Sequence, residues 1–224
     1  MSVREPAVAG RFYPGTPGEL KREVAALYGA APAGDERVLA VMCPHAGWVY
    51  SGALAARTLA QVRVPERVVV MCPNHTGRGA PAALDPSEAW WTPFGDVPLA
   101  RPLAQRLREL APGITEDSEA HRREHSLEVQ LPFLKLLRPD VEIVPLCLGE
   151  PSLPLCREVG QALARAAGEE REPPVILASS DMNHYEPRAV GRAKDDLALE
   201  RIEALDPEGL FETVLARSIS MCGA

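Results

Sequence analysis

The sequence predicts an α/β protein with an open sheet whose chemistry is gathered at the carboxyl ends of its strands. Three observations carry that prediction. Short apolar runs rich in valine alternate with longer stretches of helical periodicity. Two of these runs, 38–42 and 68–72, end in the same way, with Cys-Pro and then a histidine, His45 or His75. A third run, 175–179, exits into Ser180-Asp181-Met-Asn-His184. Proline cannot donate to a sheet ladder, so Pro44 and Pro73 stop their strands. Each histidine is thereby placed just past a strand end, where open α/β sheets bind ligands.

The elements follow in order. Residues 4–17 are punctuated too often by proline and glycine to form an element. A short amphipathic helix is expected over 19–28, stopped by Gly29 and Pro32. A strand at 38–43 leads to a helix at about 52–61, and a strand at 68–72 leads to a long loop, 74–98. That loop carries Trp90, Trp91 and Phe94 in a chain poor in aromatics, which predicts a loop pinned to the core, with a pocket wall as the alternative. A helix at 99–110 comes next. In the segment 121–137, apolar positions 127, 131, 134 and 137 share one helical face, and Pro132 predicts a kink or a late helix start. A strand at 142–148, a helix at 152–167 with a Ser152 cap and Gly168 at its end, and the strand at 175–179 complete the alternation. Helices at 188–204 and from Asp206 to about Arg217 follow, and the chain closes on Ser220-Met-Cys222-Gly-Ala224.

Composition narrows the function. The 224 residues suffice for one large α/β domain. A net charge of -7 argues against nonspecific nucleic-acid binding. No segment reaches the roughly 20 apolar residues that span a bilayer. The amino-terminal Met-Ser-Val-Arg-Glu-Pro lacks an apolar signal core, so a cytoplasmic protein is expected. Five cysteines without paired spacing, with Cys43, Cys72 and Cys147 at or in apolar strands, read as reduced, buried thiols.

All five histidines fall in candidate site segments, a clustering that favours metal or acid–base work. His45 and His75, from neighbouring strand ends, can offer imidazole nitrogens to one metal ion. Asp181, His184 and Cys222 are the candidates for a third ligand, and whichever of Asp181 and His184 stays off the metal can orient a ligand or move a proton. His121-Arg-Arg-Glu124-His125 has the H-x-x-E-H form of the inverted zinc-protease motif. A helix start at which Glu124, His125 and Glu128 line the pocket is the preferred reading of that stretch, with His121 beside them.

Taken together, Gly10-Arg-Phe-Tyr-Pro14, Pro44-His45-Ala-Gly, Pro73-Asn-His75, Glu124-His-Ser-Leu-Glu-Val-Gln-Leu-Pro-Phe133, Ser179-Ser-Asp181-Met-Asn-His184 and Met221-Cys222-Gly223 resemble, in order, the motifs of the Memo family, whose bacterial members are called AmmeMemoRadiSam system protein B. That family resembles the class III extradiol dioxygenases in fold. The resemblance implies a three-layer α/β/α sandwich with a central mixed or mostly parallel sheet. It implies metal ligands His45, His75 and Cys222, with His184 in the acid–base position, Asp181 beside it, and His121, His125 and Glu128 shaping the substrate pocket. Iron, as Fe(II), is the first expectation for the metal, with copper and zinc accepting the same donors. A thiolate replaces the dioxygenases' carboxylate, which turns the expectation from ordinary ring cleavage toward redox chemistry. The substrate is an unknown small molecule or peptide. The alternative is a non-catalytic peptide- or metal-binding protein acting with AMMECR-type and radical-SAM partners. The family's chains continue past the Cys-Gly motif, so a shortened chain is expected here.

Overall fold

In the computed structural model, residues 2–29, 34–149 and 152–224 are described. The chain runs β1 (Val3–Arg4), α1 (Pro17–Tyr28), β2 (Ala40–Cys43), α2 (Trp48–Leu59), β3 (Arg67–Pro73), β4 (Ala82–Leu84), β5 (Ala89–Trp90), β6 (Val97–Pro98) and α3 (Arg101–Leu110). It continues through β7 (Thr115–Glu116), a 3-10 turn (Glu128–Gln130), α4 (Leu131–Leu137), β8 (Glu142–Leu148), α5 (Leu153–Glu169), β9 (Val175–Ser179), α6 (Arg188–Glu203) and α7 (Pro207–Ala216).

The main sheet has the order β2-β9-β3-β8-β4-β7. β2, β9, β3 and β8 are mutually parallel, β4 pairs antiparallel with β8, and β7 returns parallel to β4. It is therefore the mixed, mostly parallel sheet expected. Its two faces fill two separate cores, because successive strand side chains point to opposite sides. Val68, Val70, Cys72, Ile143, Cys147 and Leu177 pack with Leu20 and Val24 of α1, Ala55 and Leu59 of α2 and Phe133 and Leu134 of α4. Val69, Val144, Leu146 and, partly buried, Ile176 pack with Leu103 and Leu107 of α3 and Val159, Leu163 and Ala166 of α5. Helices on both faces make the α/β/α sandwich. Parallel strands covered on both sides read as continuous apolar runs, which is why β3, β8 and β9 are legible in the sequence.

The structure corrects several boundaries. α2 begins at Trp48, a turn earlier than the expected 52, because the Trp48 N–H donates to the Phe12 carbonyl at 2.7 Å and the helix starts directly from the His45 turn. The 74–98 loop contains β4, β5 and β6; strands of two or three residues carry too little periodicity to read. Trp90 is fully buried there with the Arg4 guanidinium stacked 4.0 Å over its ring, so this part of the loop is pinned to the core. Ser152 precedes α5, but its side chain makes no capping bond, and the helix runs past Gly168 to Glu169. Residues 121–127 form turns, and α4 starts late, with Pro132 in its first turn, where its missing N–H costs nothing. Pro32 lies outside the described residues; Gly29 closes α1 with φ 55°. Asp206 caps α7, its carboxylate accepting the Gly209 N–H at 2.8 Å. Among the described residues, no helix is long and apolar enough to cross a membrane.

Candidate metal centre

The centre is assembled at the carboxyl ends of β2, β3 and β9 with the turn before the 3-10 segment. In-register pairing sets Cys43 of β2 beside Ser179 of β9, and β3 lies on the other side of β9. The residues that follow these strands, His45, His75 and Asp181, are therefore delivered to one rim. His125 arrives from the turn below. The ring centroids lie 5.1 Å apart for His45 and His75, 5.6 Å for His45 and His125, and 4.7 Å for His75 and His125. One ring nitrogen from each of the three lies within 4.8 Å of the other two.

Glu124 is the hub that holds two of these rings. Its Oε1 accepts from His75 Nδ1 at 2.9 Å, from the His125 and Ser126 backbone N–H groups at 2.9 Å each and from the Ser126 hydroxyl at 2.7 Å. His125 Nδ1 lies 3.3 Å from the same oxygen, and Oε2 accepts the His75 backbone N–H at 2.6 Å. Burial pushes the Glu124 carboxyl up, but the hydrogen bonds from His75 and Ser126 outweigh it and hold the group down at about 2. Hydrogen bonds with Cys222 and Glu124 in turn push His75 up to about 10, against the effect of burial. Burial pushes His45 down to about 4, with Asp181 opposing and the other two histidines reinforcing the shift; it lowers His125 as well.

The opposite wall comes from β9 and the last residues of the chain. Asp181 Oδ1 accepts the backbone N–H groups of His45, at 2.7 Å, and Ala46, at 3.3 Å. Its Oδ2 stands 3.9 Å from His45 Nε2 and 3.8 Å from His184 Nε2. His184 donates Nδ1–H to the Ser220 carbonyl at 2.7 Å, so Nε2 carries the lone pair in the neutral ring. Cys222 Sγ lies 3.8 Å from that Nε2. The thiol is anchored by its neighbours: the Cys222 N–H donates to the Asp181 carbonyl and the Gly223 N–H to the Ser180 hydroxyl. A Cβ at Gly223 would sit 2.7 Å from Ser180 Cβ, so only glycine lets this strap lie so close.

The donor set fits a cation. His45 Nε2 is buried with no hydrogen-bond partner among the described residues, a polar atom that a cation or a hydrogen-bond donor would satisfy. Near it stand the ring nitrogens of His75 and His125 and, at 3.9 Å, a carboxylate oxygen of Asp181, while the Cys222 thiol lies by His184. Two of the three rings have their remote nitrogens oriented by other groups, His45 by the Ser179 hydroxyl at 3.0 Å and His75 by Glu124, as is usual for histidines that ligate metals.

A family model of Memo-like proteins matches residues 4–224. This chain belongs to the Memo-like family. The MEMO1 family protein of Pyrobaculum arsenaticum is 40% identical over 234 residues, covering 100% of this chain and 83% of the relative. That of Aquifex aeolicus is 38% identical over 224 residues, covering 100% and 83%. That of Archaeoglobus fulgidus is 38% identical over 221 residues, covering 99% and 83%.

In this Memo-like chain His45, His75, His125, Asp181, His184 and Cys222 are brought together, while two expected pocket residues are not. Glu128 is buried on the far side of its turn and spends its oxygens on the amino-terminal segment. It binds Arg4 Nη1 at 2.6 Å, the Ala7 and Val8 N–H groups at 2.7 and 3.0 Å, and the Tyr13 hydroxyl at 3.0 Å. His121 is fully buried, its Nε2 against the Ala83 carbonyl at 2.9 Å and its ring edge-on to Trp90. The H-x-x-E-H reading fails for the same reason: 121–127 is not a helix, so His121 and His125 do not share a face. Sequence reasoning placed Glu124 in the pocket lining but missed its role as the hub, and it missed Gln130 and Ser179 as supports. All three lie within the family motifs quoted above, but a motif marks a residue without saying which atom it bonds.

Proposed function

We propose that this protein binds one divalent metal ion through His45 and His75, with a third donor from the adjacent His125 or Cys222, and that the loaded centre carries redox or dioxygenase-like chemistry on a small molecule or peptide. The observation that carries the reading is the convergence of three imidazole nitrogens within 4.8 Å of one another. Donors held at about 2.0–2.1 Å from one ion stand closer together than this, so binding draws the three rings inward. Bound Fe(II) would supply an open coordination position and one-electron chemistry; copper and zinc fit the same donors.

The chain's own residues support such chemistry. His184 presents a lone pair on Nε2 with its other nitrogen held by the Ser220 carbonyl, which suits it to take a proton from a bound ligand. Asp181 fixes the His45 turn through two backbone N–H groups and keeps a carboxylate oxygen between His45 and His184. Phe12 packs edge-on against His125 at 4.9 Å and gives the pocket an apolar side.

Metal content after anaerobic purification tests the proposal. We expect about one equivalent in the wild type, lost in His45→Ala and His75→Ala. Full occupancy in His45→Ala would sink the assignment. Cobalt(II) titration assigns the third donor: a thiolate charge-transfer band absent from Cys222→Ser makes it Cys222, and no band with loss of binding in His125→Ala makes it His125. A second reading is a binding protein without turnover, linked to AMMECR-type and radical-SAM partners. It is favoured by the exposed Tyr185, whose ring lies beside His184 at the rim, 5.7 Å between centroids, where a peptide could rest. Sustained oxygen consumption by the metal-loaded protein with catechol-like substrates would exclude this second reading.

A further inference from the structure

We infer that Ser179, backed by Gln130, is a positioning residue that fixes the hydrogen of His45 on Nδ1 and so aims the Nε2 lone pair into the centre. The consequence for metal binding rests on the function proposed above; the tautomer itself follows from hydrogen-bond accounting. Ser179 Oγ lies 2.6 Å from the Ser126 carbonyl, which can only accept, so the single hydroxyl hydrogen is committed there. Gln130 Nε2 lies 2.8 Å from the Pro44 carbonyl, again only an acceptor, which fixes the orientation of the amide. The same NH2 group then donates to Ser179 Oγ at 3.2 Å. The hydroxyl has no hydrogen left for His45, whose Nδ1 stands 3.0 Å away. Only an Nδ1–H can face it. Nε2 is left with its lone pair, buried and without a partner.

The surroundings of Nε2 agree. Asp181 Oδ2 stands 3.9 Å off, beyond hydrogen-bond distance, as expected of two electron-pair donors facing each other. The device differs from the one at His75. There a carboxylate accepts Nδ1–H; at His45 a neutral hydroxyl accepts it. The two devices meet in Ser126, whose carbonyl takes the Ser179 hydrogen while its own hydroxyl donates to Glu124 at 2.7 Å. One short turn thus aims two rings from different strands.

Long-range proton–nitrogen correlation spectra of the metal-free, 15N-labelled protein test this. His45 resonances, assigned by their loss in His45→Gln, should show Nδ1 protonated and Nε2 bare; a protonated Nε2 overturns the inference. Ser179→Ala should lose that fixed tautomer and bind zinc about 10–100-fold more weakly. Ser179→Thr, which keeps a hydroxyl, should restore both. A Ser179→Ala protein that keeps Nδ1–H and full zinc affinity also overturns it. The wild-type spectrum decides the assignment even where Ser179→Ala fails to fold. A wild type with Nδ1–H that takes up no zinc removes the metal reading and leaves the role of Ser179 standing.

Discussion

Glu124 Oε1 lies 2.9 Å from His75 Nδ1, and that one oxygen also gathers the backbone and hydroxyl of Ser126. A single buried carboxylate therefore both aims a candidate ligand and fixes the turn that carries another. Glu124→Gln keeps the shape but removes the charge that polarises His75. Zinc affinity, measured by calorimetry, should fall about 10–100-fold. Unchanged affinity would show that the ring needs no such support.

The metal-free protein should be most stable near neutral pH. The unfolded chain protonates His45 below about 6.5, whereas the folded chain resists until about 4. Its share of stability is therefore full above pH 6.5 and declines as pH falls toward 4, by on the order of 3 kcal/mol. Glu124, held at about 2 against 4.5, adds a second loss as pH falls from 4.5 to 2. His75 acts in the other direction: held near 10, its contribution is full below 6.5 and disappears as pH rises through 10. Chemical denaturation of metal-free protein across this range checks the profile, and His45→Ala should flatten the segment between pH 6.5 and 4.

Arg4 and Glu128 form a buried ion pair at 2.6 Å, and Glu128 also accepts two backbone N–H groups and the Tyr13 hydroxyl. Removing one partner of a buried pair costs about 3–5 kcal/mol. At about 2–4 °C per kcal/mol for a chain of this size, Arg4→Met should lower Tm by roughly 6–20 °C. The Arg4→Met/Glu128→Leu double variant should recover only part of this, because the Ala7 and Val8 N–H groups still lack their acceptor. Full recovery in calorimetry would mean that the ion pair alone matters.

His121 and His125 should separate cleanly. His121→Ala leaves a cavity against Trp90 and removes the His121 Nε2 contact to the Ala83 carbonyl, so it should lower stability by about 2–5 kcal/mol while leaving zinc stoichiometry intact. His125→Ala should weaken zinc binding with little loss of stability. Joint loss of zinc in both variants would revive the H-x-x-E-H reading.

Where an element buries both faces, its sequence announces it. β8 and β9 span the expected residues, and β3 exceeds its expected span by one residue at each end. Pro44-His45 after β2 and Pro73-Asn-His75 at the end of β3 mark both histidines as strand-end residues, where the structure places them. The short strands β4, β5 and β6 were hidden, because two or three residues cannot display a period. Glu128 was misjudged because a carboxylate near a histidine cluster suggests the pocket, and only packing reveals that it faces Arg4 and the amino terminus.

The α/β class, the strand ends at which polar chemistry collects, and the family are all legible in the residues alone. They are legible because they depend on local rules: apolar runs, prolines that stop ladders, and spaced motifs. Tertiary structure alone decided which donors meet. Sheet order sets β9 between β2 and β3, so residues 136 positions apart, His45 and Asp181, share a hydrogen bond at 2.7 Å. The direction of each imidazole lone pair likewise depends on what its other nitrogen touches, and those partners, Ser179 and Glu124, come from distant parts of the chain.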